Sequence, residues 1–139
     1  MAGYSGTPLA KKLGIKEGHR LAFVGAPPGY RALLGELPRG VTCTDCADEL
    51  AGGIFDVIQL FAGSRAELAA AFGPALARLA TAGALWVSWP KRTSGVATDL
   101  DENVVRRAGL ALGVVDVKVC AVDETWSGLK FVRRLRDRT

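Results

Sequence analysis

The chain has 139 residues, 49% of them apolar and 23% charged, the balance of an ordinary soluble globule with room for one domain but not two. The formal charge is +4, and residues 129–139 alone account for it, with Lys130, Arg133, Arg134, Arg136 and Arg138 against Asp137. A charge gathered in one terminal strand speaks against nucleic-acid binding, which calls for a more widely spread basic surface.

The opening MAGYSGTPLAKK lacks the apolar segment of a signal peptide. The alanine-rich run 68–88 is broken by Gly73, Pro74, Arg78 and Gly83, so it does not span a membrane. A cytoplasmic protein is expected. Cys43, Cys46 and Cys120 are too few, and odd in number, for a disulfide framework.

Residues 1–6 are small and polar and are expected to be flexible, leaving one domain over 7–139. Thr7 as N-cap, Pro8 at the first helical position and Gly14 as the stop predict a short helix over 8–13. A first strand follows over 20–25, then the turn Ala26-Pro27-Pro28-Gly29, then about two helical turns from Tyr30 to Leu37. Val41 to Thr44 reads as a short strand. "IFDVIQLF", residues 54–61, is a near-continuous apolar run of the kind buried on both faces of a parallel sheet.

A helical stretch covers 65–81 with Leu68, Phe72, Leu76 and Leu79 on one face, and Gly73-Pro74 should kink or divide it. "ALWVSW", residues 84–89, is the next strand. Asp99 and Glu102 read as a capping box for a helix that stops at Gly113. Strands over 114–122 and 129–135 close the chain, with Ser127-Gly128 as the turn between them.

Strands alternating with helices imply a parallel sheet covered on both faces, and a short final connection implies one reversed strand. The expected fold class is therefore α/β, a three-layer sheet of about six strands that is mostly parallel with an antiparallel C-terminal strand. This pattern resembles the Rossmann-like class, and the methyltransferase variant in particular, across residues 7–136. It is a shortened version, because a further strand and helix would normally lie between the segments at 41 and 54. Two longer stretches, "YSGTPLAKKLGIK" and "VDVKVCAVDETWSGLKFVRRL", resemble a family of short bacterial proteins defined only as a domain of unknown function. That resemblance spans the chain and implies no activity.

In open parallel sheets ligands bind beyond the carboxyl ends of the strands. The loops at 26–30, 90–95 and 123–128 should therefore meet on one rim, with Tyr4 and Ser5 beside them. Tyr30, Trp89, Lys91, Asp123 and Trp126 are expected to line one contiguous pocket there, apolar walls with a few orienting charges. Trp126 as a lid folded onto the core is the competing reading. In the turn, Pro27 and Pro28 have no N–H to offer a phosphate, and Gly25 and Gly29 are not spaced as a dinucleotide fingerprint requires. A rigid strand-to-helix turn is the plainer reading; a phosphate at the N–H groups of Gly29 to Ala32, aided by Arg31, is the sharper one.

Asp45 follows the glycine turn by about the interval at which a ribose-binding acid is placed. It stands in "CTDC", where a zinc site lacks ligands and a redox pair lacks a helix N-terminus, so Cys43 reads as a core-facing strand residue. His19 reads as a solvated turn residue at the opposite edge of the sheet. No metal and no cofactor are expected.

Three functions stay open. The first is a non-enzymatic binding or regulatory module that docks a small anionic ligand or a protein partner at the rim. The second is a divergent S-adenosylmethionine-dependent methyltransferase or other nucleotide-binding enzyme, favoured by topology and Asp45 and opposed by the prolines. The third, nucleic-acid association through the terminal arginines, ranks last.

Overall fold

The apolar run Phe55–Phe61 forms a strand at the centre of a six-stranded sheet, with parallel partners on both sides. Each of its side chains falls on one covered face or the other, which is why the sequence shows no alternation. Complete burial of Ile58 and Leu60 stabilises the fold by about 2 kcal/mol each.

The computed structural model describes residues 8–46 and 52–138. In chain order they form α1 (Leu9–Lys12), β1 (Arg20–Val24), α2 (Tyr30–Leu34), β2 (Thr42–Cys46), β3 (Phe55–Phe61), α3 (Arg65–Leu76), β4 (Leu79–Pro90), α4 (Glu102–Ala111), β5 (Val114–Ala121) and β6 (Trp126–Arg133). Single turns of 3-10 helix occupy Arg92–Ser94 and Leu135–Asp137. The strand order is β2-β1-β3-β4-β6-β5. All neighbours are parallel except β6, which runs antiparallel to both β4 and β5. The carboxyl ends of β1, β2, β3, β4 and β5 thus share one edge.

Two apolar clusters sandwich this sheet. Under α3 and α4 lie Ala22, Val24, Ile58, Leu60, Leu85, Val87, Trp89, Leu129 and Phe131, met by Leu68, Phe72 and Val105. Under α1 and α2 lie Leu21, Phe23, Val57, Phe61, Trp86 and Val122, met by Leu13, Tyr30 and Leu34. The Trp86 indole N–H donates to the Leu13 carbonyl at 3.1 Å, fastening α1 to the sheet. No helix among the described residues is long and apolar enough to cross a membrane.

Four local expectations are corrected. Helix α3 runs unbroken through Gly73-Pro74, because it ends two residues later at Leu76 and the proline removes only a last-turn hydrogen bond. The N-cap of α4 is Asp101, whose carboxylate accepts the Val104 N–H at 2.8 Å. Asp99 reaches across instead to the Arg65 N–H at 2.7 Å, at the start of α3. Ser127 and Gly128 belong to β6, and the chain turns at 123–125, where Val122 and Asp123 both donate to the Trp126 carbonyl. Cys43 is exposed, while Cys46 packs against the α3-side cluster, so it is Cys46 that faces the core.

Arg133, one of the terminal arginines, is engaged within the fold. Its guanidinium donates to the carbonyls of Leu76 and Leu79, 3.0 Å each, and closes the C-terminus of α3. The expected flexible segment 1–6, and with it Tyr4 and Ser5, lies outside the described residues, as does the capping residue Thr7.

Candidate functional site

The rim is built by loops that bond to one another. Gly25 donates to the Cys46 carbonyl at 2.9 Å, Ala62 to that of Ser88 at 3.0 Å and Lys91 to that of Thr125 at 2.7 Å. These bonds tie the end of β1 to β2, the end of β3 to β4, and the loop after β4 to the turn after β5, and the loops at 26–30, 90–95 and 123–128 share the expected edge.

The proline turn closes on itself. Gly25 and Gly29 have φ of 68° and 81°, a left-handed backbone that favours glycine, and Tyr30 donates its N–H to the Pro27 carbonyl at 3.2 Å. Of its N–H groups, those of Gly25 and Tyr30 are therefore engaged and the two prolines have none. Helix α2 has only five residues, with Arg31 exposed beside the exposed Gly29.

Tyr30 is 3% exposed and stands edge-on between Phe23 (5.3 Å between centroids) and Phe61 (4.8 Å). Trp126 continues the ladder on Phe61 at 5.2 Å and packs partly buried on the α1/α2-side cluster. Burial pushes the Tyr30 phenol far above its ordinary range, with Cys120 and Asp123 adding to the effect. Asp123 is a turn former, its Oδ1 accepting the N–H groups of Thr125 and Trp126 at 2.8 Å each. Burial also raises the Cys120 thiol, opposed by Lys12, Lys118 and Lys91 nearby.

Trp89 does not join this group. It is buried on the opposite face, with the cluster under α3 and α4. An odd separation from Trp86 places the two indoles on opposite sides of β4. The five residues expected to line one pocket are therefore divided by the sheet, with Tyr30, Trp126, Asp123 and Lys91 around Phe61 and Cys120 and Trp89 behind them. Asp45 is exposed near the end of β2, opposite Phe23 in register. Because the next residue, Cys46, faces α3, the Asp45 side chain stands on the other side of the strand.

A crevice of about 370 Å³ opens at the same edge, on the α3 side, lined by Val24, Gly25, Leu60, Phe61, Glu67, Ala70 and Ala71. It lies between the ends of β1 and β3, where the strand order reverses. Chain connections leave in opposite directions at such a point, which opens a space between them. Ser64 and Glu67 fix its mouth as a capping box: the Ser64 hydroxyl accepts the Glu67 N–H at 3.2 Å and the Glu67 carboxylate accepts the Gly63 N–H at 2.7 Å. The Gly63, Arg65 and Glu67 amides at this helix start are thus engaged, the Arg65 N–H by Asp99, and the ionisable group on the crevice is a carboxylate. A larger apolar groove of about 680 Å³ runs between α3 and α4, away from these loops. Among the described residues no three His, Cys, Asp or Glu side chains are placed to hold a metal ion.

No family model and no curated protein matches the chain, so neither comparison supports the resemblance to a family of short bacterial proteins. Solved structures do match. A ribosomal protein L11 methylase from Lactobacillus delbrueckii subsp. bulgaricus superposes with a TM-score of 0.65 at 14% identity, over 91% of this chain and 75% of its own. A magnesium protoporphyrin IX methyltransferase from Synechocystis PCC 6803 with bound SAH gives 0.61 at 14%, over 85% and 75%. A SAM-dependent methyltransferase from Aquifex aeolicus gives 0.59 at 15%, over 88% and 86%. The fold is methyltransferase-like. At these identities the likeness concerns the fold alone.

Sequence reasoning missed Leu60, Phe61, Glu67, Ala70 and Ala71. The Ser64-x-x-Glu67 pattern was the available signal, since it marks the start of α3 and hence its place at the rim. Nothing distinguishes Ala70 and Ala71 in sequence from any other helical alanine.

Proposed function

We propose that the chain is a binding domain for an adenosyl ligand of the S-adenosylmethionine class, held by its nucleoside half in the switch-point crevice. The observation that carries this is the crevice itself: apolar walls from Val24, Leu60, Phe61, Ala70 and Ala71, with one carboxylate, Glu67, at the mouth. Apolar walls suit a purine, and a carboxylate accepts from its amino group or from ribose hydroxyls. The amino-acid half fits less well, because the turn that should receive its carboxylate has two prolines and two engaged amides. Titration calorimetry with adenosine, S-adenosylmethionine and S-adenosylhomocysteine tests the reading. Binding of all three within about tenfold of one another supports it. S-adenosylhomocysteine binding more than about a hundredfold tighter than adenosine favours a full methyltransferase site, and no heat from any of them removes the proposal.

A second reading has its own observation. Lys12, Lys118 and Lys91 lie near enough to Cys120 to act on its thiol, and this positive charge favours a non-enzymatic module that docks a small anionic molecule or a protein partner on that face. Adenosine 5′-monophosphate separates the two, since a gain over adenosine reports a cationic site and a loss reports the Glu67 carboxylate.

A further inference from the structure

We infer that Tyr30, Gln59 and Ser88 share an internal hydration site on the α1/α2 face of the sheet, holding at least one ordered water. Gln59 and Ser88 are fully buried and Tyr30 nearly so, yet neither polar atom of the Gln59 amide, nor the Ser88 and Tyr30 hydroxyls, has a hydrogen-bond partner within the protein. Leaving such groups bare costs their full desolvation penalty, so native structures pair them with protein or with water.

Sheet register brings the three together. Gln59 pairs with Trp86 and Phe61 with Ser88, which sets Gln59 and Ser88 on a diagonal of one face, within reach of a long side chain. Phe23, opposite Gln59 in β1, and Phe61, two residues beyond it, are the two rings between which Tyr30 stands. Tyr30 therefore roofs this diagonal, with Cys120 and Asp123 close enough to act on its hydroxyl.

The row beneath holds small residues beside one ring. Phe61, Ser88, Gly128 and Cys120 stand side by side across β3, β4, β6 and β5. A Cβ on Gly128 would lie 3.2 Å from Val122, 3.3 Å from Trp86 and 3.5 Å from the Ser88 hydroxyl, so glycine keeps this row close-packed and leaves no room for an organic ligand. The amide offers donors and an acceptor and each hydroxyl offers both, as a bridging water requires. Soluble proteins hold about one buried water per 27 residues, or about five for this length, so one here is ordinary in number. Its consequence is mechanical, because it would tie Tyr30, the first residue after the proline turn, to the centre of the sheet.

A high-resolution crystal structure of the intact chain, with water oxygen-17 relaxation dispersion on the wild type and Gln59→Leu, tests this without any ligand. The expected result is a water within hydrogen-bond distance of the Gln59 amide and the Ser88 hydroxyl. The variant should lose one long-lived water and about tenfold in folding equilibrium constant. Direct bonding of Gln59 to Ser88 or Tyr30 with no water between them would overturn the inference, as would a Gln59→Leu variant more stable than wild type. Should that variant not fold, Ser88→Ala and the wild-type density decide.

Discussion

Tyr30 and Phe61 meet edge to face, their ring centroids 4.8 Å apart and their planes at 72°. The contact joins the residue after the proline turn to the last residue of the central strand. It is also the middle rung of the ladder from Phe23 to Trp126. Phe61→Ala should remove two aromatic contacts and leave a cavity, costing about 3–5 kcal/mol in urea unfolding. A loss under about 1 kcal/mol would mean that the ladder is not a structural element.

The cysteines order the opposite way from the sequence reading. Cys43→Ser should fall within about 0.5 kcal/mol of wild type, as exposed substitutions do, and Cys46→Ser should be the costlier change. Thiol labelling of the native protein should modify Cys43 before Cys46 and Cys120. Faster labelling of Cys120 would contradict the packing described.

Gly109 reverses a common rule. In most helices Gly→Ala stabilises by about 1 kcal/mol, but a Cβ here would run into the ring of Phe131, beneath α4. Gly109→Ala should destabilise by about 1–3 kcal/mol through overpacking, measured by denaturant unfolding. A stabilised variant would show that α4 sits farther from β6.

Arg20 and Asp56 give a pH signature. Asp56 accepts both the Arg20 backbone N–H at 2.7 Å and its Nε at 3.2 Å. The Arg20 side-chain hydrogen bond is the chief reason that its carboxyl lies below the ordinary value, burial opposing it. A depressed folded pKa contributes stability that is present above the unfolded value, about 3.9, and is lost as pH falls through the folded one. The stability difference between wild type and Asp56→Asn should therefore be constant near neutrality and shrink below about pH 4. A gap that persists into strong acid would assign the effect to the hydrogen bonds alone.

Much of this fold was legible because periodicity and length carry it. The run at 55–61 could only be a strand covered on both faces, and the final short connection could only reverse the chain. Even the lost strand-helix unit showed as a short interval between 41 and 54. What stayed hidden depends on contacts distant in sequence. Asp99 has the spacing of a cap for its own helix but caps α3, because Asp101 is better placed and the start of α3 lies beside it. Cys43 looked core-facing because the face of an edge strand is set by register with β1, which two cysteines three residues apart do not fix. Trp89 was assigned to the right edge but the wrong face.

The crevice was the least visible feature, since its walls are alanines and strand ends whose only distinction is where they meet. Ala70 is exposed on α3, so Ala70→Leu should fold normally while filling the space between β1 and β3. Adenosine affinity should then fall at least about tenfold in calorimetry. An unchanged affinity would place the ligand elsewhere.

Amide chemical-shift mapping of the isotope-labelled protein with adenosine bears most directly on the binding proposal. The largest perturbations should fall at Gly25, Glu67, Ala70 and Ala71, around the switch point. Perturbations confined to the groove between α3 and α4, or to the lysines around Cys120, would contradict it, as would a spectrum unmoved at millimolar adenosine.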